Sequence, residues 1–308
     1  MIIQTGMRTD IPAFYAEWLH NRLKEGFVCV RNPYNPDVVT RYQLKPSVVD
    51  LITFCTKNPA PMFPYLGDLE KYDQFWFVTI TAYGRDLEPY VPDKMQVMED
   101  FKYLSRQLGP ELVTWRYDPI VITEQYTLDW HIEQFTKMCE NLDGYTTVVV
   151  TSFIDLYRKV RRNFPEAREV TVDERIALTK ACSKIAAEHG MVFKLCGEPA
   201  KYEQYGADCS GCMMPEVYGK GLVGTLNIPS SVHPLREECN CLLGSDIGAY
   251  NSCGHFCKYC YANAEKSLIE HNMALHDPKS PFLIGHAEPG DSIRDAKQES
   301  WLDLQLHF

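Results

Sequence analysis

Nowhere in the 308-residue sequence does an apolar run approach the roughly 20 residues that a membrane-spanning helix needs, so no span is expected. The opening stretch, MIIQTGMRTD, has neither the basic segment nor the apolar stretch of an export signal, and this sets the expectation of a soluble, cytoplasmic protein. Positive charge is in short supply: 31 Lys and Arg stand against 41 Asp and Glu, a net charge of −10. That balance argues against a broad nucleic-acid-binding surface, whose phosphate contacts need a basic face. The one basic run of note, KVRRNFPEAREV at 159–170, reads as a solvated helix end, and it is also where an anionic substrate could dock. Repeats, low-complexity tracts and Gly/Ser linkers are missing as well, so nothing in the composition divides the chain.

Cysteine, by contrast, is plentiful, with 12 in the chain. In a reducing cytosol thiols are kept from pairing, so metal is the better reading than disulfides. Cys29, Cys55, Cys139 and Cys182 are scattered through apolar or helical segments, where cysteine serves as a small buried hydrophobe. The others crowd into residues 196 to 260: Cys196 in LCGEP, Cys209 and Cys212 in ADCSGC, Cys239 and Cys241 in ECNCLL, and Cys253, Cys257 and Cys260 in SCGHFCKYCYANAE. The last three are spaced C-x3-C-x2-C. A closed zinc site or a fully capped iron–sulfur cluster takes four ligands, so a fourth lies elsewhere or one coordination position is left open for chemistry. His255, inside this motif, is expected to face solvent or to cap a sulfur.

The N-terminal two-thirds alternates strands with helices. Strands are predicted at 1–6, 48–55, 74–82, 112–117, 146–153 and 191–196, and helices at 11–26, 93–109, 127–144 and 172–190. Near-continuous apolar strands between amphipathic helices imply an α/β fold with a parallel sheet, read as a complete or partial TIM-like (β/α) barrel; a doubly wound open sheet is the competing topology. Polar residues recur where the strands exit: Arg8, Asp10, Lys57, Asn58, Arg85, Arg116, Asp118, Asp155 and Glu198. In parallel α/β folds those carboxyl ends form the active-site face, although any strand end also needs turn and cap residues.

The cysteine triad, with aromatic Tyr259 just before its third member, resembles the cluster motif of radical S-adenosylmethionine enzymes. The stretches RTDIPAFYAEWLHNRLKEG, TKNPAPM, WRYDPI, CNCLLGSDIGAYNSCGHFCKYCYAN and SPFLIG resemble an uncharacterised domain-of-unknown-function family whose C-terminal cysteines look like that motif. The resemblance implies a 4Fe-4S cluster on Cys253, Cys257 and Cys260, with the fourth iron chelating S-adenosylmethionine. It also implies a reductive cleavage of that cofactor to a 5'-deoxyadenosyl radical. The substrate would be a small molecule, peptide or nucleotide, and the electron would come from a low-potential donor such as flavodoxin or ferredoxin.

The superfamily places its motif after the first barrel strand, whereas here it comes last. A circular permutation reconciles the two: residues 246–251 become the first strand, 261–272 the first helix, and 1–10 the second strand. Arg8, Thr9 and Asp10, with Tyr259, then become the candidates for cofactor contact, in the place of a GGE turn that this chain lacks. The implied organisation is barrel units over 1–195, a cysteine-rich insertion over 196–245, and the cluster loop, helix and closing tail over 246–308. For an auxiliary cluster in the insertion, the resemblance favours Cys196, Cys209, Cys239 and Cys241, with Cys212 in reserve; structural zinc and plain thiols are the alternatives. A non-catalytic iron–sulfur electron carrier or a zinc-stabilised binding module is the alternative to the enzyme reading. The strand-end residues Arg8, Asp10, Lys57, Asn58, Arg116, Asp118 and Glu198 are the catalytic candidates.

Overall fold

The computed structural model describes residues 1–219, 225–229, 241 and 244–303. In chain order its strands are β1 (Ile2–Gln4), β2 (Phe27–Arg31), β3 (Val38–Gln43), β4 (Leu51–Thr56), β5 (Asp73–Thr79) and β6 (Val113–Ile120). β7 (Val148–Phe153), β8 (Val192–Leu195), β9 (Thr225–Leu226), β10 (Ser245–Asp246), β11 (Ser292–Asp295) and β12 (Leu302–Asp303) follow. The α-helices are α1 (Ile11–Phe14), α2 (Ala16–Glu25), α3 (Lys94–Leu108), α4 (Leu128–Leu142), α5 (Arg158–Asn163), α6 (Val172–Glu188), α7 (Pro215–Tyr218) and α8 (Lys266–Ala274). Among the described residues, no helix is long and apolar enough to cross a membrane.

Seven strands form one sheet in the order β10-β1-β4-β5-β6-β7-β8, with every pairing parallel. Strands such as LITFCT and VVVTSF are apolar on both faces because both faces are covered. Ile52, Phe54, Trp76, Val78, Trp115 and Val149 share a core with Trp18 and Leu23 of α2, Phe101 of α3, Phe135 of α4 and Leu178 of α6. Phe54 and Trp76, cross-strand partners in register, stack with ring centroids 3.9 Å apart.

The alternate residues Ile2, Leu51, Phe75, Phe77, Val148 and Val150 pack instead against Cys212, Met213, Val217, Tyr218, Leu226 and Cys241. The long helices therefore pack on one face of the sheet and the cysteine-rich segment on the other. A complete barrel is not formed: β8 and β10 end the strand order, and no pairing between them closes the sheet among the described residues. β10 lies beside β1 at one end of the sheet, paired in parallel.

Local signals explain the helix ends. Thr127 and Thr171 cap α4 and α6 through their side chains, the second in a capping box with Glu174, and Gly26 ends α2 at φ 79°. The helix expected over 11–26 is broken at Tyr15, whose hydroxyl donates to the Ser252 carbonyl at 2.5 Å and ties the break to the cysteine loop. The sequence reading also passed over a hairpin: β2 and β3 pair antiparallel, and β11 joins them in a separate three-stranded sheet.

Candidate functional site

The cysteine loop leaves the carboxyl end of β10. Asp246, the last residue of that strand, accepts from the backbone N–H groups of Met7 (2.8 Å) and Gly248 (3.0 Å) and pairs with Arg8 Nε at 3.3 Å. The exits of β10 and β1 are thereby fixed to each other. Farther along, Asn251 and Phe256 adopt left-handed backbones (φ 57° and 53°), and Gly254 lies so close to Phe14 that a Cβ would sit 2.8 Å from its ring. Side-chain amides close the base of the loop: Asn263 donates to the Cys253 carbonyl (2.8 Å) and Asn272 to the Asn251 carbonyl (3.0 Å).

Within this loop Cys257 is buried and Cys253 and Cys260 half-buried. Desolvation pushes all three thiols up, that of Cys257 to about 11, against the pull of nearby Lys57 and Lys94. Backbone N–H groups meet the sulfurs, from Ala262 to Cys260 Sγ at 3.3 Å and from His255 to Cys253. Three thiols carried by one pinned loop, with amides donating to sulfur, are a donor set suited to an iron–sulfur cluster, whose binding would release the thiol protons.

Asp10 anchors the loop from the N-terminal side. Its Oδ1 accepts from Ala13 N at 3.1 Å as the cap of α1, and its Oδ2 accepts from Lys57 N at 2.8 Å and lies 2.9 Å from His255 Nε2. His255 is 2% exposed and packs edge-on against Phe14, so it neither faces solvent nor caps a sulfur with its ring. The sequence expectation for it is corrected here: the Asp10 carboxylate supplies the partner that a buried imidazole needs.

A second buried network supports Tyr259. Its hydroxyl donates to Glu88, which is 1% exposed and also accepts from Thr81 Oγ1 (2.7 Å), Lys57 Nζ (2.8 Å) and Lys94 Nζ. Burial lowers both lysine pKa values, that of Lys94 to about 7. Neither Glu88 nor Lys94 was singled out from the sequence. Lys94 did carry a signal: it opens α3, where a cation opposes the helix dipole and so must be serving another contact.

On the inner face of the sheet the sulfurs of Cys196, Cys212 and Cys241 all lie within 4.8 Å of one another. Cys212 approaches Cys196 at 3.6 Å and Cys241 at 3.4 Å, and its backbone N–H points at the Cys241 sulfur (3.3 Å). Arg116 extends from β6 on the same face, donating to Asp118 at 2.7 Å, while Asp118 also accepts from Ser152.

Residues 2–262 match a sequence family described as Domain of unknown function (DUF1848). The chain belongs to the DUF1848 family. Among curated proteins, none matches it. The matched DUF1848 region takes in the sheet and both groups of cysteines, and ends two residues after Cys260.

In this DUF1848 chain, Arg8, Thr9, Asp10, Lys57 and Tyr259 gather around the cysteine loop, Lys57 lying 5.6 Å from the Tyr259 ring centre. Thr9 is buried and its hydroxyl has no partner among the described residues. Asn58 donates its backbone N–H to Thr56 Oγ1, a turn contact. Glu198 is held at 2.6 Å by Arg175 of α6, beside a cavity of about 410 Å³ lined by Thr171, Lys201 and Tyr202, and it joins neither cysteine group. Arg85 and Asp155 sit in exposed contacts with Pro89 and Tyr157. Cys209 is buried outside the inner triad, in which Cys212 takes the place expected for it; Cys239 lies outside the described residues.

Proposed function

We propose that this protein is a radical S-adenosylmethionine enzyme in which Cys253, Cys257 and Cys260 hold a 4Fe-4S cluster with one iron open to the cofactor. The observation that carries the reading is a pinned three-thiol loop at the carboxyl end of a strand in an all-parallel sheet, the face on which such folds build active sites. When bound and reduced, the cluster would supply the electron that cleaves the cofactor to a 5'-deoxyadenosyl radical.

The protein's own groups set the geometry. Asp10 positions the loop through His255 and fixes the exit of β4 through Lys57 N. Glu88 holds the Tyr259 ring beside the third cysteine, and the Lys57 cation offsets thiolate charge at Cys257 and Cys253. Thr9, whose buried hydroxyl is unpartnered among the described residues, is the group of the 8–10 turn offered to the cofactor, while Arg8 keeps the turn attached to Asp246. Arg116 and Asp118 face the interior, where a small molecule, peptide or nucleotide would be held in the path of the radical. A low-potential flavodoxin or ferredoxin would deliver the electron. Glu198 and Asn58 are assigned no step.

Anaerobic reconstitution of the full chain with iron and sulfide tests the site. The reduced protein should show a paramagnetic cluster signal that changes when S-adenosylmethionine is added, and Cys257→Ala should lose about four irons per chain. A cluster signal indifferent to the cofactor would overturn the proposal in favour of an electron carrier.

A further inference from the structure

We propose that Cys196, Cys212 and Cys241 supply three of the four ligands of a single divalent ion of the zinc class, which ties together the two ends of the sheet. The proposal concerns the inner face alone and stands whether or not the radical reading does.

Sulfur spacing decides between an ion and a cluster. Ligands at about 2.3 Å from one tetrahedral zinc lie about 3.8 Å from each other. Thiolates on separate irons of a cubane sit at the corners of a larger tetrahedron, about 6 Å apart. The observed separations of 3.4 and 3.6 Å, with all three sulfurs inside 4.8 Å, match the single ion. Cys253, Cys257 and Cys260 do not form so tight a group, and the contrast within one molecule separates the two sites.

The surroundings suit a thiolate-bound cation. Cys212 and Cys241 are each 2% exposed, and the Cys212 amide donates to the Cys241 sulfur, as amides around zinc thiolates do. Tyr218, 1% exposed, has no partner for its hydroxyl among the described residues and lies close enough to Cys212, Cys55 and Cys241 to interact with them electrostatically. The Arg116 guanidinium, near Cys212 and Cys196 and unpartnered at Nε among the described residues, offsets the net negative charge of three thiolates on one divalent ion. Binding exchanges thiol protons for the ion and calls for no oxidant or reductant.

The position gives the ion its role. Cys196 is the residue after β8, and Cys241 stands four positions before β10, so the ion links the exit of one end strand to the lead-in of the other, strands that no pairing joins among the described residues. Cys212 brings in the segment that carries Met213, Val217 and Tyr218 onto Phe75 and Phe77. A metal tie thus joins segments at the two ends of the strand order.

Metal analysis of the full chain, purified without added metal, tests this directly. About one zinc per chain is expected, lost in Cys212→Ala and in Cys241→Ala but kept in Cys257→Ala. Cobalt(II) substituted into the wild type should give the strong sulfur-to-metal charge-transfer bands of a tetrahedral thiolate site, a readout that does not depend on whether the variants fold. Stripping the ion with a chelator should lower the melting temperature by at least about 5 °C. Four irons lost on Cys212→Ala, a Cys212–Cys241 disulfide without metal, or an absent cobalt charge-transfer band would each overturn the site. An unchanged melting temperature would overturn the tie.

Discussion

His255 Nε2 and Asp10 Oδ2 lie 2.9 Å apart, a buried contact that joins the cysteine loop to the turn after β1 across 245 positions of sequence. The same carboxylate caps α1 and receives the Lys57 amide, so one side chain sets the relative placement of three segments around the loop. Asp10→Ala should therefore destabilise the protein by about 2–4 kcal/mol, the sum of a lost cap and stranded buried donors. Asp10→Asn, which keeps one acceptor oxygen for the cap but sets an amide NH2 against the Lys57 N–H, should recover only part of that loss in urea denaturation.

Glu88 yields a sharper expectation because two lysines converge on it in a buried site. Glu88→Ala leaves both cations without their partner and should cost about 3–5 kcal/mol. Lys94→Met removes one cation and keeps the Lys57 pair, so its cost should be well under half as large. Parallel denaturation curves of the two variants make the comparison; equal losses would show that the carboxylate does not organise the network.

The fold was largely legible in the sequence because apolar runs such as LITFCT and VVVTSF, flanked by capped amphipathic helices, carry the parallel-sheet pattern in local composition. All six strands predicted in the N-terminal two-thirds are present, and they are neighbours in chain order. The hairpin of β2 and β3 was missed although FVCVR and VVTRYQ flank an Asn/Pro-rich turn, a signal that could have been read. Glu88 and His255 could not be placed from sequence, since the partners that define them, Tyr259 and Asp10, are brought near only by the fold. The choice of Cys212 over Cys209 has the same origin: both belong to one C-x2-C pair, and only the direction in which the loop presents each sulfur separates them.

His131 supplies a pH signature. Buried on α4, its ring lies 2.9 Å from the Val121 carbonyl and 2.8 Å from the Tyr117 hydroxyl, a pattern that assigns a neutral ring donating from Nε2. Burial lowers its pKa from 6.5 to about 4, with the Val121 bond acting the other way. The folded state thus resists a proton that the unfolded chain takes up near 6.5. Its contribution is complete above that value and is lost as pH falls from 6.5 to about 4, by up to about 3 kcal/mol. His131→Gln should flatten the stability profile over that window.

Formation of 5'-deoxyadenosine tests the account most directly. Anaerobically reconstituted protein, reduced with dithionite and given S-adenosylmethionine alone, should release 5'-deoxyadenosine and methionine, slowly in the absence of substrate, because the open iron would hold a sulfonium beside an electron source. The triple variant Cys253→Ala, Cys257→Ala, Cys260→Ala should release none while keeping its fold and the zinc on the inner face. Fully reconstituted wild type that binds four irons at this loop yet leaves the cofactor intact would contradict the account.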